Sequence, residues 1–244
     1  MNNSKPRFKQ TEVYQLVNRL LLTKGLTKGT FPKQLNLVLD IGCGRALDIL
    51  SLLTMEKAHK IVIGLDIRPY REWKRVMLLY GQVNFVIADA LYLPFRSQVF
   101  GFCFLRDLLH HIRRDFVNVI QEALKVVRIS GILRVIEANR YHINSILVFK
   151  HDVSHDHFTF KELNMLKKHL SFDELYGLEL LPSFSCFKKD FLWNCFVIIF
   201  WLLTTWPKGV TILLLYIKLK EKFLKNNLTY YVLSKKRVRE IELE

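Results

Sequence analysis

The chain has 244 residues, half of them hydrophobic, with only 10 glycines and 6 prolines, and its formal net charge is +15. This length and composition fit one compact domain with appendages and exclude a disordered or fibrous protein. The charge is concentrated at the ends, because residues 1–33 hold seven Lys/Arg against one acid and residues 208–239 hold nine against one. Such ends suit nucleic-acid phosphates, anionic lipid headgroups or a soluble surface, so charge alone does not choose among these partners.

Cysteine usage and the first residues bear on the cellular compartment. The four cysteines form neither a C-x-x-C pair nor a His/Cys zinc spacing: Cys43, Cys103, Cys186 and Cys195. This argues against a disulfide framework and favours a reducing environment. The segment from Met1 to Pro6 is polar and lacks the apolar region of a signal peptide. We therefore predict a cytoplasmic protein.

The first predicted element is an amphipathic helix within a basic N-terminal segment, residues 1–30. Its pattern stops near Gly25, and its apolar residues recur at helical spacing: Val13, Leu16, Val17, Leu20 and Leu21. We expect this helix to cover another part of the protein.

Short apolar runs then alternate with amphipathic stretches. The runs predict strands at 35–40, 60–66, 83–88, 99–105 and 131–137, and the stretches between them predict helices at 45–55, 70–80 and 113–129. This alternation is typical of βαβ units with right-handed crossovers. It predicts an α/β fold with a parallel sheet that helices cover on both faces.

The second half of the chain is predicted to contain an insertion, an apolar segment and the last strands. Residues 141–190 are interpreted as a lid or substrate insertion, with a helix at 161–170, followed by a sixth strand at 178–184. Residues 191–225 form an apolar helical segment. Residues 226–244 hold the last strand, at 228–234, and a basic tail.

The apolar region at 191–217 raises the question of a membrane span. Pro207-Lys208-Gly209 divides it into pieces of sixteen and eight residues, each shorter than the roughly 20 that a spanning helix needs. A single crossing would also place strands of one sheet on opposite sides of the bilayer. Two alternatives remain, a hairpin in the membrane interface or two helices packed over the domain. In the hairpin, three tryptophans would lie near the headgroups: Trp193, Trp201 and Trp206.

A glycine turn follows the first predicted strand, in the segment Asp40-Ile41-Gly42-Cys43-Gly44. Missing side chains let the backbone approach a ligand, and the N–H groups at the start of the next helix favour electron-rich groups. A dinucleotide fingerprint would need glycine at Leu47, and a P-loop would need Gly-Lys-Ser/Thr; neither is present. The acid before the first glycine is the discriminating feature.

With that acid, the segment resembles the first motif of class I S-adenosylmethionine-dependent methyltransferases, acid-x-Gly-x-Gly-x-small. The motif is met by Asp40, Gly42, Gly44 and Ala46, with Ala46 a mild departure because glycine is frequent there. The resemblance covers about residues 35–140 and the last strand. It implies a Rossmann-like fold with a mostly parallel seven-stranded sheet, helices on both faces and an antiparallel last strand. It also implies that residues 31–140 bind S-adenosylmethionine.

The resemblance implies cofactor contacts at the ends of successive strands. Asp66, 26 residues after Asp40, would accept both ribose hydroxyls, and Asp89 would accept from the adenine amino group. Arg106 would bind the cofactor carboxylate or an anionic substrate, and a surface ion pair is the alternative. A single acid at a strand end can be a helix cap, but three on successive strands favour a cofactor site. The predicted cofactor-binding set is Asp40, Gly42, Cys43, Gly44, Asp66, Ile67, Asp89, Ala90 and Arg106.

Two adjacent histidines are the candidate catalytic residues. His110 and His111 follow the fourth predicted strand, where an imidazole would take a proton from the acceptor if one must leave. Packing or hydrogen bonding by one of them is the alternative. Glu137, at the end of the fifth strand, is a further candidate for acceptor binding. No metal is predicted, because the spacing of His151, His155 and His157 matches no defined site and favours a mobile lid with solvated histidines.

The segment after the fourth strand also bears on the methyl acceptor. It reads Arg106-Asp107-Leu108-Leu109, which lacks the Asn/Asp-Pro-Pro-Tyr/Phe segment of nucleic-acid amino methyltransferases and the Pro-Cys nucleophile of pyrimidine-carbon enzymes. The following His-His is similar to the small-molecule branch, which includes lipid methyltransferases. We therefore expect a small hydrophobic or membrane-resident acceptor and peripheral contact with an anionic membrane on its inner face. An RNA methyltransferase that uses the basic ends, and a non-catalytic binding module, are the alternatives.

Overall fold

The computed structural model describes residues 19, 21–28, 37–55, 61–141, 157–180, 208–224 and 228–237. Within these ranges seven strands form one sheet: β1 Leu37–Ile41, β2 Ile61–Asp66, β3 Val83–Ile87, β4 Phe100–Arg106, β5 Val127–Ala138, β6 Glu174–Leu178 and β7 Tyr230–Lys236. Five α-helices accompany them: α1 Leu47–Met55, α2 Glu72–Leu79, α3 Phe116–Val126, α4 Phe160–His169 and α5 Gly209–Phe223. A 3-10 helix spans Leu109–Ile112.

The strand order is β3-β2-β1-β4-β5-β7-β6, and β7 alone among these strands runs antiparallel to its neighbours. The predicted Rossmann-like fold with an antiparallel last strand is confirmed. The order reverses between β1 and β4. In sheets of this kind, ligands bind in the crevice at the carboxyl ends of the strands beside such a switch point.

Alternate residues of the central strands pack into two separate hydrophobic layers. Leu39 and Cys103 face the layer that contains Val119 of α3 and Leu163 of α4. Their neighbours along the strands face the other layer, with α1, α2 and the helical residues 21–26. Both faces of the sheet are therefore covered, which is why β1 and β4 are almost entirely apolar and buried.

The N-terminal helix covers the second layer, as its amphipathic pattern predicted. Leu22 and Leu26 are buried there, and its end is fixed by three hydrogen bonds from two side chains. Tyr176 donates its hydroxyl to the carbonyl of Gly25 at 2.8 Å, and Arg134 donates to the carbonyls of Leu26 and Lys28. Of the predicted apolar pattern, Leu21 lies within the described residues and is partly buried, whereas Val13, Leu16, Val17 and Leu20 lie outside them, so the prediction is tested only at the end of the helix.

Two predicted boundaries are wrong. The sixth strand is Glu174–Leu178 instead of 178–184, because β6 is an edge strand that pairs with β7 alone and carries no continuous apolar run. The helix predicted at 113–129 ends at Val126, where β5 begins. Residues 181–184 lie outside the described residues. The proposed domain division stays a prediction, but β6 and β7 belong to the same sheet as the core.

The helix after the apolar segment, α5, is 15 residues long. No helix in the described parts of the chain has the length and apolarity to cross a membrane. Most of the apolar region, residues 191–207, lies outside the described residues, so the alternatives for that segment are not tested. The α5 helix is joined to the sheet edge through Lys220, whose ammonium donates to Glu179 at 2.7 Å.

Candidate active site

The glycine turn connects β1 to α1 through three residues with left-handed backbone conformations. Gly42 has φ +79°, Gly44 has φ +48° and Ala46 has φ +62°. The N–H groups of Gly42 and Cys43 both donate to the carbonyl of Leu65, at 2.8 and 3.0 Å, which fixes the turn against the end of β2. A Cβ on Gly42 would lie 3.0 Å from the Leu108 side chain, whereas a Cβ on Gly44 would project into open space. The turn thus leaves its backbone accessible to a ligand.

Asp66 stands at the end of β2 and faces the same turn. Its Oδ2 accepts from the Gly44 N–H at 2.9 Å, and its Oδ1 accepts from the Arg68 N–H at 3.4 Å. Each carboxylate oxygen offers two acceptor positions, so the side chain can still accept from a ligand diol. Asp66 therefore serves both as a brace for the turn and as a candidate ligand group.

Asp89 follows β3 and stabilises its own loop. Its Oδ1 accepts from the Leu91 N–H at 2.9 Å. This bond is not the helix cap that was the alternative to cofactor binding, because the described residues between β3 and β4 contain no helix. Asp89 lines the same cavity as Gly44 and Asp66. Asp89 thus uses one carboxylate oxygen within its loop, and the residue borders the cavity.

Asp107, directly after β4, is a site residue that sequence reasoning missed. It adopts φ +51°, and its Oδ2 accepts from the Tyr230 hydroxyl at 3.1 Å and lies 3.4 Å from Nη1 of Arg106. Its Oδ1 is buried and has no hydrogen-bond partner among the described residues. A buried carboxylate oxygen without a donor is a site for a cation. No sequence signal marked Asp107 beyond its position in the strand-4 exit, because its partner Tyr230 is 123 residues away.

Arg106 and Asp40 lie behind the turn. The Arg106 guanidinium pairs with Asp48 in the first turn of α1 at 2.6 Å, so Arg106 holds α1 to β4. Asp40 is buried, and its Oδ2 has no hydrogen-bond partner within the described residues. Burial raises the pKa of Asp40 well above its usual range, and the negative charge of Asp48 adds to the shift. Burial likewise raises the pKa of the Cys43 thiol, so this cysteine is no nucleophile.

A cavity of about 450 Å³ opens at the carboxyl ends of β1 to β4. Its volume is within the range of small-molecule sites. Of the predicted residues, those that line it are Gly42, Gly44, Asp66, Ile67, Asp89, Ala90 and His111. The predicted residues outside its lining are Asp40, Cys43, Arg106 and His110. Lining residues that were not predicted are Leu65, Arg68, Tyr70, Ala88, Asp107, Leu108 and Ile112.

The two candidate catalytic histidines occupy different environments. His111 is exposed and lines the cavity together with Leu108 and Ile112. His110 is buried, and its Nδ1 lies 2.8 Å from Oε2 of Glu137. The other oxygen of Glu137 accepts from the Leu109 N–H at 2.7 Å. The geometry thus favours His111 as the imidazole that can contact a methyl acceptor in the cavity. His110 instead contacts the buried carboxylate of Glu137.

The prediction of solvated histidines is wrong for His157. Its side chain is buried, and its ring centroid lies 4.3 Å from that of His110. His151 and His155 lie outside the described residues. Cys43 and Cys103 are free thiols, while Cys186 and Cys195 are outside the described parts of the chain.

Residues 39–135, which include the glycine turn and the acids after β2, β3 and β4, match the model of a family described as a methyltransferase domain. This part of the chain is a methyltransferase domain. The family and the cofactor that the motif around Asp40 predicted are confirmed. No curated protein matches the chain in sequence.

Solved structures share the fold of this methyltransferase domain at low identity. An S-adenosylmethionine-dependent methyltransferase of Aquifex aeolicus has a TM-score of 0.53 and 16% identity over 71% of this chain and 93% of that one. Phosphoethanolamine N-methyltransferase 2 of Haemonchus contortus, in complex with phosphomonomethylethanolamine and S-adenosylhomocysteine, has a TM-score of 0.59 and 16% identity over 91% of this chain and 53% of that one. The 1,6-didemethyltoxoflavin-N1-methyltransferase of Burkholderia thailandensis has 1,6-didemethyltoxoflavin and S-adenosylhomocysteine bound. It has a TM-score of 0.55 and 15% identity over 96% of this chain and 82% of that one.

The described residues of the methyltransferase domain fit S-adenosylmethionine. Asp66 retains acceptor positions for the ribose hydroxyls, and Asp89 retains an oxygen for the adenine amino group. The Oδ1 of Asp107 accepts no hydrogen bond within the described residues, so it can accept one from the positively charged methionine end of the cofactor. When bound, the cofactor supplies a methyl group on a positively charged sulfur. The individual roles of all the predicted cofactor-binding and catalytic residues stay predictions, including those of Asp66, Asp89 and His111 that line the cavity.

Proposed function

We propose that this methyltransferase methylates a small hydrophobic acceptor at a membrane surface, on the cytoplasmic side. The observation that carries the proposal is the exposed apolar face of α5. Its outward residues recur at helical spacing and are each 46–69% exposed: Ile212, Leu215, Leu219 and Phe223. Contiguous apolar exposure of this kind is typical of sites that bind a membrane or another protein.

Positive charge flanks this apolar face. Lys218 and Lys222 are exposed on α5, and Lys208 precedes its first residue. The opposite side of the helix is fixed to the protein, since Ile217 is buried and Lys220 pairs with Glu179. An amphipathic helix with lysines beside its apolar face lies in the interface of anionic membranes. We therefore assign α5 as the element that docks the enzyme on its acceptor's membrane.

The chemistry at the cavity is consistent with a small acceptor. Methyl transfer is a displacement at one carbon, so the protein contributes mainly alignment and exclusion of water. Leu108 and Ile112 give the acceptor end of the cavity apolar walls, and His111 beside them can take a proton that the acceptor loses. The neighbours from Haemonchus contortus and Burkholderia thailandensis bind small acceptors, which supports the same class here.

Flotation with liposomes tests the proposal. The wild-type protein should float with vesicles that contain anionic lipid, and less with neutral vesicles. Replacing Leu215 and Leu219 by serine should reduce the floated fraction several-fold, because both apolar side chains leave the docking face. The matched control is Leu78→Ser, which removes a leucine that is 79% exposed on α2.

Two outcomes would overturn the membrane proposal. One is wild-type protein that does not float with anionic vesicles. The other is salt-sensitive binding to RNA in place of vesicles, which would favour the nucleic-acid alternative based on the basic ends. S-adenosylmethionine affinity, measured on the same proteins, should be equal in all variants and shows that each is folded.

A further inference from the structure

A cluster of three buried ligand-type side chains lies beside the cofactor cavity. Its members are His110 in the 3-10 helix, Glu137 at the end of β5 and His157 just before α4. Each is at most 4% exposed, and one potential ligand atom from each lies within 4.8 Å of the others. Three separate parts of the chain therefore bring two imidazoles and one carboxylate around a single point.

The contact between His110 and Glu137 is close enough for both to serve one ion. Nδ1 of His110 and Oε2 of Glu137 are 2.8 Å apart. Zinc binds both histidine nitrogen and carboxylate oxygen at about 2.0–2.2 Å, so neighbouring ligands need only a small outward shift to accommodate it. The rings of His110 and His157 are also in contact, with centroids 4.3 Å apart.

The fold holds these side chains in place before any ligand arrives. Glu137 is fixed through Oε1 by the Leu109 N–H. The residue after His157, Phe158, forms a β-bridge with Asn139 just beyond β5, and its carbonyl accepts from the Arg140 N–H at 2.9 Å. These backbone contacts of the adjacent Phe158 keep His157 beside the end of β5. Such outer contacts orient metal ligands and set their affinity.

The donor set specifies the class of ion. Two imidazoles and one carboxylate match zinc and other first-row transition ions, whereas magnesium and calcium prefer oxygen ligands alone. Buried carboxylates in proteins are paired or coordinate metal ions, and a divalent cation held by Glu137 and both imidazoles would satisfy this cluster. Three protein ligands also leave a coordination position for water or another small ligand.

We propose that His110, Glu137 and His157 bind one divalent first-row transition ion of the zinc type. The site is separate from the cofactor residues but adjacent to the acceptor end of the cavity, since the His110 ring contacts that of His111 at 4.1 Å. The inference does not depend on the identity or location of the acceptor.

Metal titration of the full-length, tag-free protein tests the proposal. After treatment with a chelator, the protein should bind one equivalent of Zn²⁺ in competition with a chromophoric chelator. One equivalent of Co²⁺ should give visible d–d absorption. The variants Glu137→Gln and His157→Gln should each weaken binding at least about tenfold, as expected for loss of a ligand.

Two controls separate this site from other histidines. His169→Gln removes an exposed histidine at the end of α4 and should leave Zn²⁺ affinity unchanged. The double variant His151→Gln/His155→Gln tests whether the histidines near His157 in sequence bind the ion instead. Calorimetric S-adenosylmethionine affinity and circular dichroism check that each variant is folded. Absence of stoichiometric binding by wild type, or unchanged binding by folded Glu137→Gln, would overturn the proposal.

Discussion

The side chain of Asp66 has two roles, one in the structure of the glycine turn and one in the predicted cofactor site. Its carboxylate accepts from the Gly44 N–H at 2.9 Å and thereby stabilises the glycine turn, and it also lines the cavity that is the predicted cofactor site. An asparagine has nearly the same shape and keeps one acceptor oxygen. It loses the negative charge and the second acceptor oxygen that a ribose diol needs.

We expect Asp66→Asn to weaken S-adenosylmethionine binding at least about tenfold, which corresponds to loss of a charge-assisted hydrogen bond. The free energy of unfolding should change little, because the amide oxygen can still accept from Gly44. Titration calorimetry and denaturant unfolding measure the two quantities. The control is Asp115→Asn, an exposed acid before α3. Equal affinities of Asp66→Asn and wild type would contradict the assignment.

Asp40 makes the stability of the protein depend on pH. Burial raises the pKa of its carboxyl well above the usual range, with a further contribution from Asp48. The folded state then keeps a proton at pH values where the unfolded chain has released it. Stability is therefore lost as the pH rises from about 4, the usual pKa of an aspartate, toward the folded-state pKa.

Asp40→Asn should remove this loss of stability at rising pH. The free energy of unfolding of the variant should exceed that of wild type by on the order of 1 kcal/mol near neutral pH, and the difference should vanish near pH 4. Urea unfolding at a series of pH values measures it, with Asp115→Asn as the reference. If the difference in free energy of unfolding between Asp40→Asn and wild type grew toward acidic pH, the predicted direction of the pH dependence would be wrong.

At the level of secondary-structure elements, α2 supports the cofactor turn from behind. The Trp73 indole donates to the Gly44 carbonyl at 2.7 Å, and its ring stacks on Phe85 of β3 with centroids 4.6 Å apart. One side chain thus links a helix, a strand and the left-handed glycine. The sequence indicated α2 but gave no sign of this link, because Trp73 and Gly44 are 29 residues apart.

Trp73→Phe should weaken S-adenosylmethionine binding several-fold, since the Gly44 carbonyl loses its donor while most of the packing remains. The free energy of unfolding should fall by about 1 kcal/mol, the usual contribution of one hydrogen bond. Isothermal titration and chemical unfolding measure these changes. Tyr80→Phe, at the end of the same helix, is the matched variant and should keep wild-type affinity. An unaltered affinity in Trp73→Phe would indicate that the turn needs no support from α2.

At the scale of the whole molecule, the sheet is completed by the last part of the chain. β7 lies between β5 and β6 and pairs with both, so a strand near residue 230 joins the core to its edge. Leu228, Tyr231 and Leu233 belong to the layer that also holds α3 and α4. Without β7, both β5 and β6 would present unpaired edges.

A chain that ends at Asn227 should therefore fail to unfold cooperatively and should aggregate. A chain that ends at Arg237 retains β7 and should unfold in one transition at close to the wild-type midpoint. Differential scanning calorimetry and size-exclusion chromatography compare the two. Cooperative unfolding of the shorter chain would show that the sheet is stable without its antiparallel strand.

Local sequence determined most of the fold and the cofactor half of the site. Strand runs, the glycine turn, Asp66 and Asp89 follow from residues within a few positions of one another, because the turn conformation and burial of a parallel strand leave a local mark. Tertiary structure decided what depends on distant partners. Tertiary structure placed β6 at 174–178 and gave Asp107 its contact with Tyr230. It also paired Arg106 with Asp48 and brought the ring of His157 against that of His110. These contacts join residues far apart in the chain, so no local pattern encodes them, and only packing of the whole sheet places them together.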